Sequence, residues 1–397
     1  MARLALVWEL GSGSGYAAVM ALIARVAIAE GHECVFIVRH LHAAARLLPP
    51  ELGVLVQAPA STAASAEAVR VQTSYATLLH NCGFGDVDAL AARLRAWQAL
   101  YRAFGIERVL ACHSPTAVLA ARMLELPLLH YGTGFSIPPE TSPWPGFRPD
   151  LAVPGRALLH NEAKVLGVVN QALQRLGAPP LPRLQALYAG VPTALLGYAE
   201  LDHYAGAERP GFLGLPEISF GARPDWPDAA EPARLFVSLI PGSGARDWLS
   251  LLAALPARSL VRFHGGAAPK HAPSPRISVC TAPVSFAPAI AASTAVVGYA
   301  SHNLVCEALL GGKPVALIAH NPEHLLLGRR VQALGAGPLL PQRPDADTAR
   351  HLGALLADAS YRSRAERFAE RYRSQPRSRI AQTLLHKALD AAAVPLG

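Results

Sequence analysis

Short, wholly apolar runs alternate with stretches of helical spacing along nearly the whole chain. Leu4–Trp8 is apolar throughout, the pattern of a strand covered on both faces in a parallel sheet. From Ala17 to Glu30 the apolar positions fit a helix, Gly31-His32 stops it, and Glu33–Val38 is a second buried strand. Residues 3–39 therefore read as one βαβ unit. Ile106–Cys112 predicts a strand, Pro115–Glu125 a helix and Pro127–Tyr131 a further strand. A proline-rich loop follows over 132–150, and unstructured loops of that length usually carry function. Helical spacing resumes over 151–176, and the runs 193–197 and 211–215 read as strands. The segment 216–232 holds four prolines and no periodicity, which marks an interdomain linker. A second series begins with the strand Arg234–Ile240 and continues with strands near 259–263, 276–280, 294–297 and 314–318.

This alternation implies an α/β protein of two Rossmann-like domains: an N-terminal domain over 1–215, the linker over 216–232, and a C-terminal domain with terminal helices over 233–397. Two such domains face each other across a cleft at the carboxyl ends of their sheets, where these folds bind ligands. The length of 397 residues suits two full-sized cores. Half of the residues are hydrophobic (51%) and 16% are charged, which fits buried parallel sheets rather than disorder. No apolar run reaches the ~20 residues of a membrane-spanning helix, and no signal-peptide layout precedes the first strand. Cys34, Cys82, Cys112, Cys280 and Cys306 are odd in number and far apart, so they read as reduced thiols of a cytoplasmic protein. A formal charge of +8 favours anionic ligands or an anionic surface, with no nucleic-acid module to go with it. Residues 361–380 hold seven arginines and two glutamates. They read as a solvated helix face or as a peripheral contact with an anionic membrane at its inner face.

Three places carry chemistry. The first is the turn Gly11-Ser12-Gly13-Ser14-Gly15-Tyr16 between strand and helix. Glycines there let main-chain amides approach an anion at the positive end of the helix dipole; a plain tight turn is the alternative. A dinucleotide clamp fits poorly, because its third glycine falls on Tyr16 and the acidic residue expected after the second strand is Arg39. Arg39 can accept a 2′-phosphate, which keeps an NADP-dependent oxidoreductase as a lesser alternative. The second place is "LIPGSGARDW", where Gly242, Ser243 and Gly244 form another glycine turn after a strand. The third is 294–337, in which a strand runs into a helix that Ser301 can cap. Glu307 lies two turns on, and Glu323-His324 follows the next strand.

The third segment resembles the donor motif of the GT-B glycosyltransferases, in the branch of the UDP-glucuronosyl, macrolide and undecaprenol N-acetylglucosaminyl transferases. That motif runs His-Gly-Gly-x-Asn-Ser-x-x-Glu-Ala-Leu-x-x-Gly-x-Pro, and Asn303, Glu307, Ala308, Leu309, Gly312 and Pro314 match it. Glu323-His324 stands where the family has an acidic residue and Gln. The segment 280–290 resembles the family's base-contacting Ala-Pro-Gln stretch, with Pro283-Val284 in place. The N-terminal loop, with Gly11, Gly13 and Gly15, resembles the family's acceptor-side turn. The resemblance implies a metal-independent transfer of a sugar from a UDP- or dTDP-sugar to an acceptor not readable from the sequence, with no cofactor beyond that co-substrate. It implies donor contacts from Gly242, Ser243, Gly244, Val284, Ser301, His302, Asn303, Glu307, Glu323 and His324.

Two motif histidines are replaced. Tyr16 stands for the loop histidine that serves as base, and Tyr299 for the phosphate-contacting histidine. A tyrosine with a pKa near 10 is a weak base at neutral pH. His113, at the end of a predicted strand, is then the leading base and Tyr16 the second candidate, although His113 also fits a hydrogen-bonded core histidine. His302 can replace the lost phosphate contact or be a histidine beside a cap. Loss of both motif histidines also suits a relative that binds a nucleotide sugar, or a partner transferase, without turnover. His320-Asn-Pro-Glu323-His324 matches a zinc-protease motif in form, but Pro322 breaks the helix that the motif needs.

Overall fold

The computed structural model describes the chain except for residues 60–67, 149, 207–208, 243, 265–268, 270–271, 281 and 397. It divides into two compact units. One comprises 1–196, 206–216 and 377–397; the other comprises 197–205 and 217–376. The segment 377–397, read from sequence as part of the C-terminal domain, thus lies with the first unit. The helix Ile380–Asp390 buries Ile380, Leu384 and Leu385, and Arg108 donates to the carbonyls of Ala388 and Ala391.

In the first unit the strands are β1 (Arg3–Trp8), β2 (Glu33–Val38), β3 (Val54–Gln57), β4 (Arg108–Cys112), β5 (Leu128–Thr133) and β6 (Thr193–Leu196). They form one parallel sheet in the order β3-β2-β1-β4-β5-β6. The second unit holds β7 (Arg234–Leu239), β8 (Arg258–Phe263), β9 (Ile277–Cys280), β10 (Ala295–Tyr299), β11 (Val315–Ile318) and β12 (Leu339–Leu340). Its parallel order, β12-β11-β10-β7-β8-β9, repeats the first. In each sheet the order reverses between the first and fourth strands, β1 with β4 and β7 with β10. Loops leaving the carboxyl ends at such a reversal are where α/β sheets bind ligands. The core strands are apolar on both faces because helices cover both: Leu4, Ala5, Leu6 and Val7 are all fully buried, as are Val296 and Val297.

One predicted strand is corrected. Residues 211–215 make only an isolated bridge, Leu195 with Phe212, because Gly211 (φ 88°) and Gly214 (φ 86°) take left-handed conformations that interrupt extended backbone. The arginine-rich segment is divided. Its first part lies in the amphipathic helix Ala359–Tyr372, which buries Ala365 and Phe368 and leaves Arg362, Arg364 and Arg367 exposed. Arg377, in the first unit, donates to the Leu215 carbonyl. Among the described residues no helix is long and apolar enough to cross a membrane.

Candidate functional site

In the first unit the two loops at the sheet reversal are joined. β1 ends in Trp8, and the loop after it enters the helix Gly15–Ala29. Gly11 (φ 81°) and Gly13 (φ 109°) make the turn. A Cβ on Gly11 would lie 2.5 Å from the Tyr16 hydroxyl, so the close approach itself demands glycine. Tyr16 stacks on Trp8 with ring centroids 4.9 Å apart, and its hydroxyl lies 3.5 Å from Nδ1 of His113. His113 follows β4 in a left-handed conformation (φ 46°), and its carbonyl accepts from Leu10 N at 2.9 Å. The structure therefore brings Tyr16 and His113 together. Burial first, and the Arg39 charge second, push the His113 pKa down to about 3, so its imidazole is neutral. Its Nε2 is buried without a hydrogen-bond partner. Rings of Tyr75 and Phe135 lie 6.3 and 6.0 Å from it.

Glu9 and Arg93 escaped the sequence reading. Glu9 is 4% exposed; its Oε1 lies 3.4 Å from Arg93 Nη1, and its Oε2 accepts from Thr116 N at 2.9 Å. Burial raises the Glu9 carboxyl pKa, and Arg93 and Thr116 oppose the rise. Glu9 thus fixes the start of the helix Pro115–Met123, two residues beyond the His113 turn. The available signal was position: a lone acid directly after an apolar strand sits at the sheet's carboxyl edge. Arg39, kept above for a 2′-phosphate, donates to the Glu9 carbonyl at 3.3 Å.

In the second unit β7 leads into Gly242 (φ 149°) and Gly244 (φ 110°), the latter opening the helix Ala245–Ala254. Ser243, the third expected donor contact of this turn, lies outside the described residues. A Cβ on Gly242 would meet nothing within 4 Å, so the main chain there faces open space. β10 ends in Tyr299, and the helix His302–Leu310 follows. Ser301 occupies the cap position but supplies no side-chain cap; its amide donates to the Tyr299 carbonyl at 2.7 Å in a tight turn. The expected Ser301 cap is absent, so that side chain does not cover the helix's first amides. Asn303 and Glu307 are half-buried and, four residues apart, share a face of this helix.

His302 lies elsewhere. Its Nε2 is 3.4 Å from Cys306 Sγ, its ring stacks 5.7 Å from that of His203, and a Cβ on Gly197 would come within 2.4 Å of it. It is a buried histidine, with a pKa lowered to about 4 by burial, rather than one beside the cap in solvent.

After β11, Asn321 caps the helix Pro322–Leu334 through His324 N at 2.9 Å. The helix starts at Pro322, which leaves His320 outside it. Burial moves the Glu323 carboxyl up to about 7 and the His324 imidazole down to about 4. The Tyr299 ring lies 5.6 Å from that of His324 and 5.4 Å from that of His264. His264 in turn lies 3.4 Å from Arg262 Nη2. Neither Arg262 nor His264 was read from sequence, though an arginine inside the apolar run of β8 was the signal. Val284 is buried beside Ala222, whose amide bonds the Pro283 carbonyl at 2.8 Å and whose carbonyl accepts from Ser285 N at 3.0 Å. This bridge leaves the Val284 amide and carbonyl outside it.

Two six-stranded parallel sheets of the same order, each with its loops at the reversal point, define the GT-B class of fold. Solved structures agree. The chain is similar to CalG4, the calicheamicin glycosyltransferase, at 19% identity and a TM-score of 0.70, covering 98% of each chain. It is similar to the glycosyltransferase VinC in complex with DTDP at 14% identity and a TM-score of 0.67, covering 98% of this chain and 99% of that one. The glycosyltransferase SnogD from Streptomyces nogalater matches at 16% identity and a TM-score of 0.65, over 97% of this chain and 99% of its own. No protein-family model and no curated protein matches the chain.

Proposed function

We propose that the protein transfers a sugar from a nucleoside diphosphate sugar, UDP- or dTDP-linked, to an acceptor hydroxyl. The observation that carries this is the β10 switch point, where a helix whose first amides Ser301 does not cover presents Asn303 and Glu307 on one face. The bound thymidine diphosphate named for VinC and for the rhamnosyltransferase SpnG supports a nucleoside diphosphate as the ligand. In this reading the amides at the helix start and Asn303 meet the diphosphate, and Glu307 takes the ribose diol. The main chain at Val284 meets the base, Gly242 and Gly244 let backbone approach the phosphates, and Glu323 and His324 hold sugar hydroxyls.

The first unit supplies the acceptor side. Tyr16, the more accessible member of the pair, takes the acceptor proton as it passes its own to neutral His113; a 3.5 Å separation is within the range of apo catalytic contacts. The acceptor oxygen then attacks the anomeric carbon and the nucleoside diphosphate leaves, steadied by amides rather than by a metal. The low basicity of His113, with its pKa near 3, favours one rival, a protein that binds the donor without turnover. Calorimetric titration with UDP and dTDP tests the reading, with NADPH alongside. Glu307→Ala should weaken nucleotide binding by about 1.5–3 kcal/mol, the range for hydrogen bonds to a charged group. Equal affinity of the variant removes the Glu307 assignment, and NADPH binding with hydride transfer replaces the reading. Slow donor hydrolysis separates a transferase from a binder.

A further inference from the structure

Arg262 is 5% exposed, and among the described residues its polar company is small. Its Nη2 faces His264 Nδ1 at 3.4 Å, its guanidinium sits 5.4 Å over the Phe286 ring, and its Nε is buried with no hydrogen-bond partner. Among the described residues no carboxylate pairs with it. The residues beside it in register are Ser238 on β7, whose hydroxyl is also buried and unpartnered, and Cys280 on β9. A buried cation without a counter-charge is strongly unfavourable, and natural proteins pair such groups. Of the other two buried arginines, Arg93 has Glu9 and Arg122 gives its guanidinium to main-chain carbonyls. Among the described residues Arg262 has neither kind of partner.

Its place says which anion. Arg262 is the penultimate residue of β8, next to β7, whose loop carries Gly242 and Gly244, and its charge reaches Tyr299 at the end of β10. These are the carboxyl ends at the reversal point of the second sheet. Burial and Arg262 itself lower the His264 pKa, which leaves that ring an uncharged donor or acceptor. The Asp225 carboxylate acts on Cys280 without an ion pair to Arg262 among the described residues.

We propose that Arg262 is the cationic contact for the donor's diphosphate, with His264 and Tyr299 around it. It supplies the charge that the replaced motif histidine would otherwise give. The proposal rests on the nucleotide-sugar reading above.

The test compares wild type with Arg262→Met and Arg262→Gln by calorimetry, using dTDP, UDP and the matching nucleosides, and by thermal unfolding without ligand. Loss of the charged contact should weaken diphosphate binding about 10- to 100-fold and leave nucleoside binding within about threefold. Removing an uncompensated buried charge should leave the ligand-free melting temperature of Arg262→Met unchanged or higher, whereas a merely structural arginine would lower it. Diphosphate binding by the variants within threefold of wild type overturns the proposal and leaves the nucleotide reading standing. A wild type that binds neither diphosphate overturns both. If Arg262→Met does not fold, the arginine is structural, unless Arg262→Gln folds and shows the selective loss.

Discussion

His130 makes an acid switch in stability that can be measured without any ligand. The ring is on β5, fully buried, stacked on Tyr188 with centroids 4.7 Å apart, and neither ring nitrogen has a hydrogen-bond partner. Burial, helped by the nearby His113, pushes its pKa down to about 3, against about 6.5 in an unfolded chain. Between those values only the unfolded state takes up the proton. The native state is therefore at full strength above about pH 6.5 and loses stability as pH falls toward 3. At 1.36 kcal/mol per unit the loss at about pH 5 is ~2 kcal/mol. Phenylalanine at this position cannot titrate. His130→Phe should therefore lose ~2 kcal/mol less than wild type between about pH 7 and pH 5, whatever it does to packing at neutral pH. For a unit of this size that is roughly 4–8 °C in melting temperature. Calorimetric scans of both proteins at both pH values give the double difference directly. Equal acid shifts in the two proteins would refute the reasoning.

Two further outcomes concern the first unit. Glu9→Ala leaves the Arg93 guanidinium buried without its acid, and should cost about 3–5 kcal/mol, read as a fall in melting temperature of that unit. Tyr16→Phe and His113→Ala should each lower transfer by about 10²–10⁴-fold with donor affinity unchanged, and the double variant should be little worse than either alone. Turnover that survives both substitutions would place the base elsewhere.

Much of the fold was legible because parallel strands covered on both faces are apolar through their interiors. So β1 is over Leu4–Trp8, β2 over Cys34–Val38, and β7 over Leu235–Leu239 with Ser238 as the one polar residue. β3 was not, since it lies at a sheet edge with Val54 52% exposed and no uniform apolar run to mark it. The glycines of 211–215 misled for the opposite reason: they interrupt nothing in a hydropathy pattern, yet their positive φ angles prevent a strand. At the candidate site, glycine turns and the Asn303/Glu307 spacing are local features and show in sequence. The Glu9–Arg93 pair joins residues 84 apart, and no local pattern encodes it. His302 looked like a phosphate contact from its place at a helix start. Its side chain instead turns toward Gly197 and His203, a direction that only tertiary packing sets.

The tail 377–397 bears on how the chain is made. Arg122 donates to the carbonyls of Val394 and Pro395, Ala393 bridges to Pro127, and the segment belongs to the first unit although the whole second unit precedes it. On the ribosome, residues 217–376 emerge and can close their core while the earlier sheet still lacks the helix Ile380–Asp390. The unit translated first is thus the last to be finished. Until residues 377–397 arrive, its unfinished face, including the guanidinium groups of Arg108 and Arg122 still without the tail carbonyls they bind, is what a chaperone or a protease would meet.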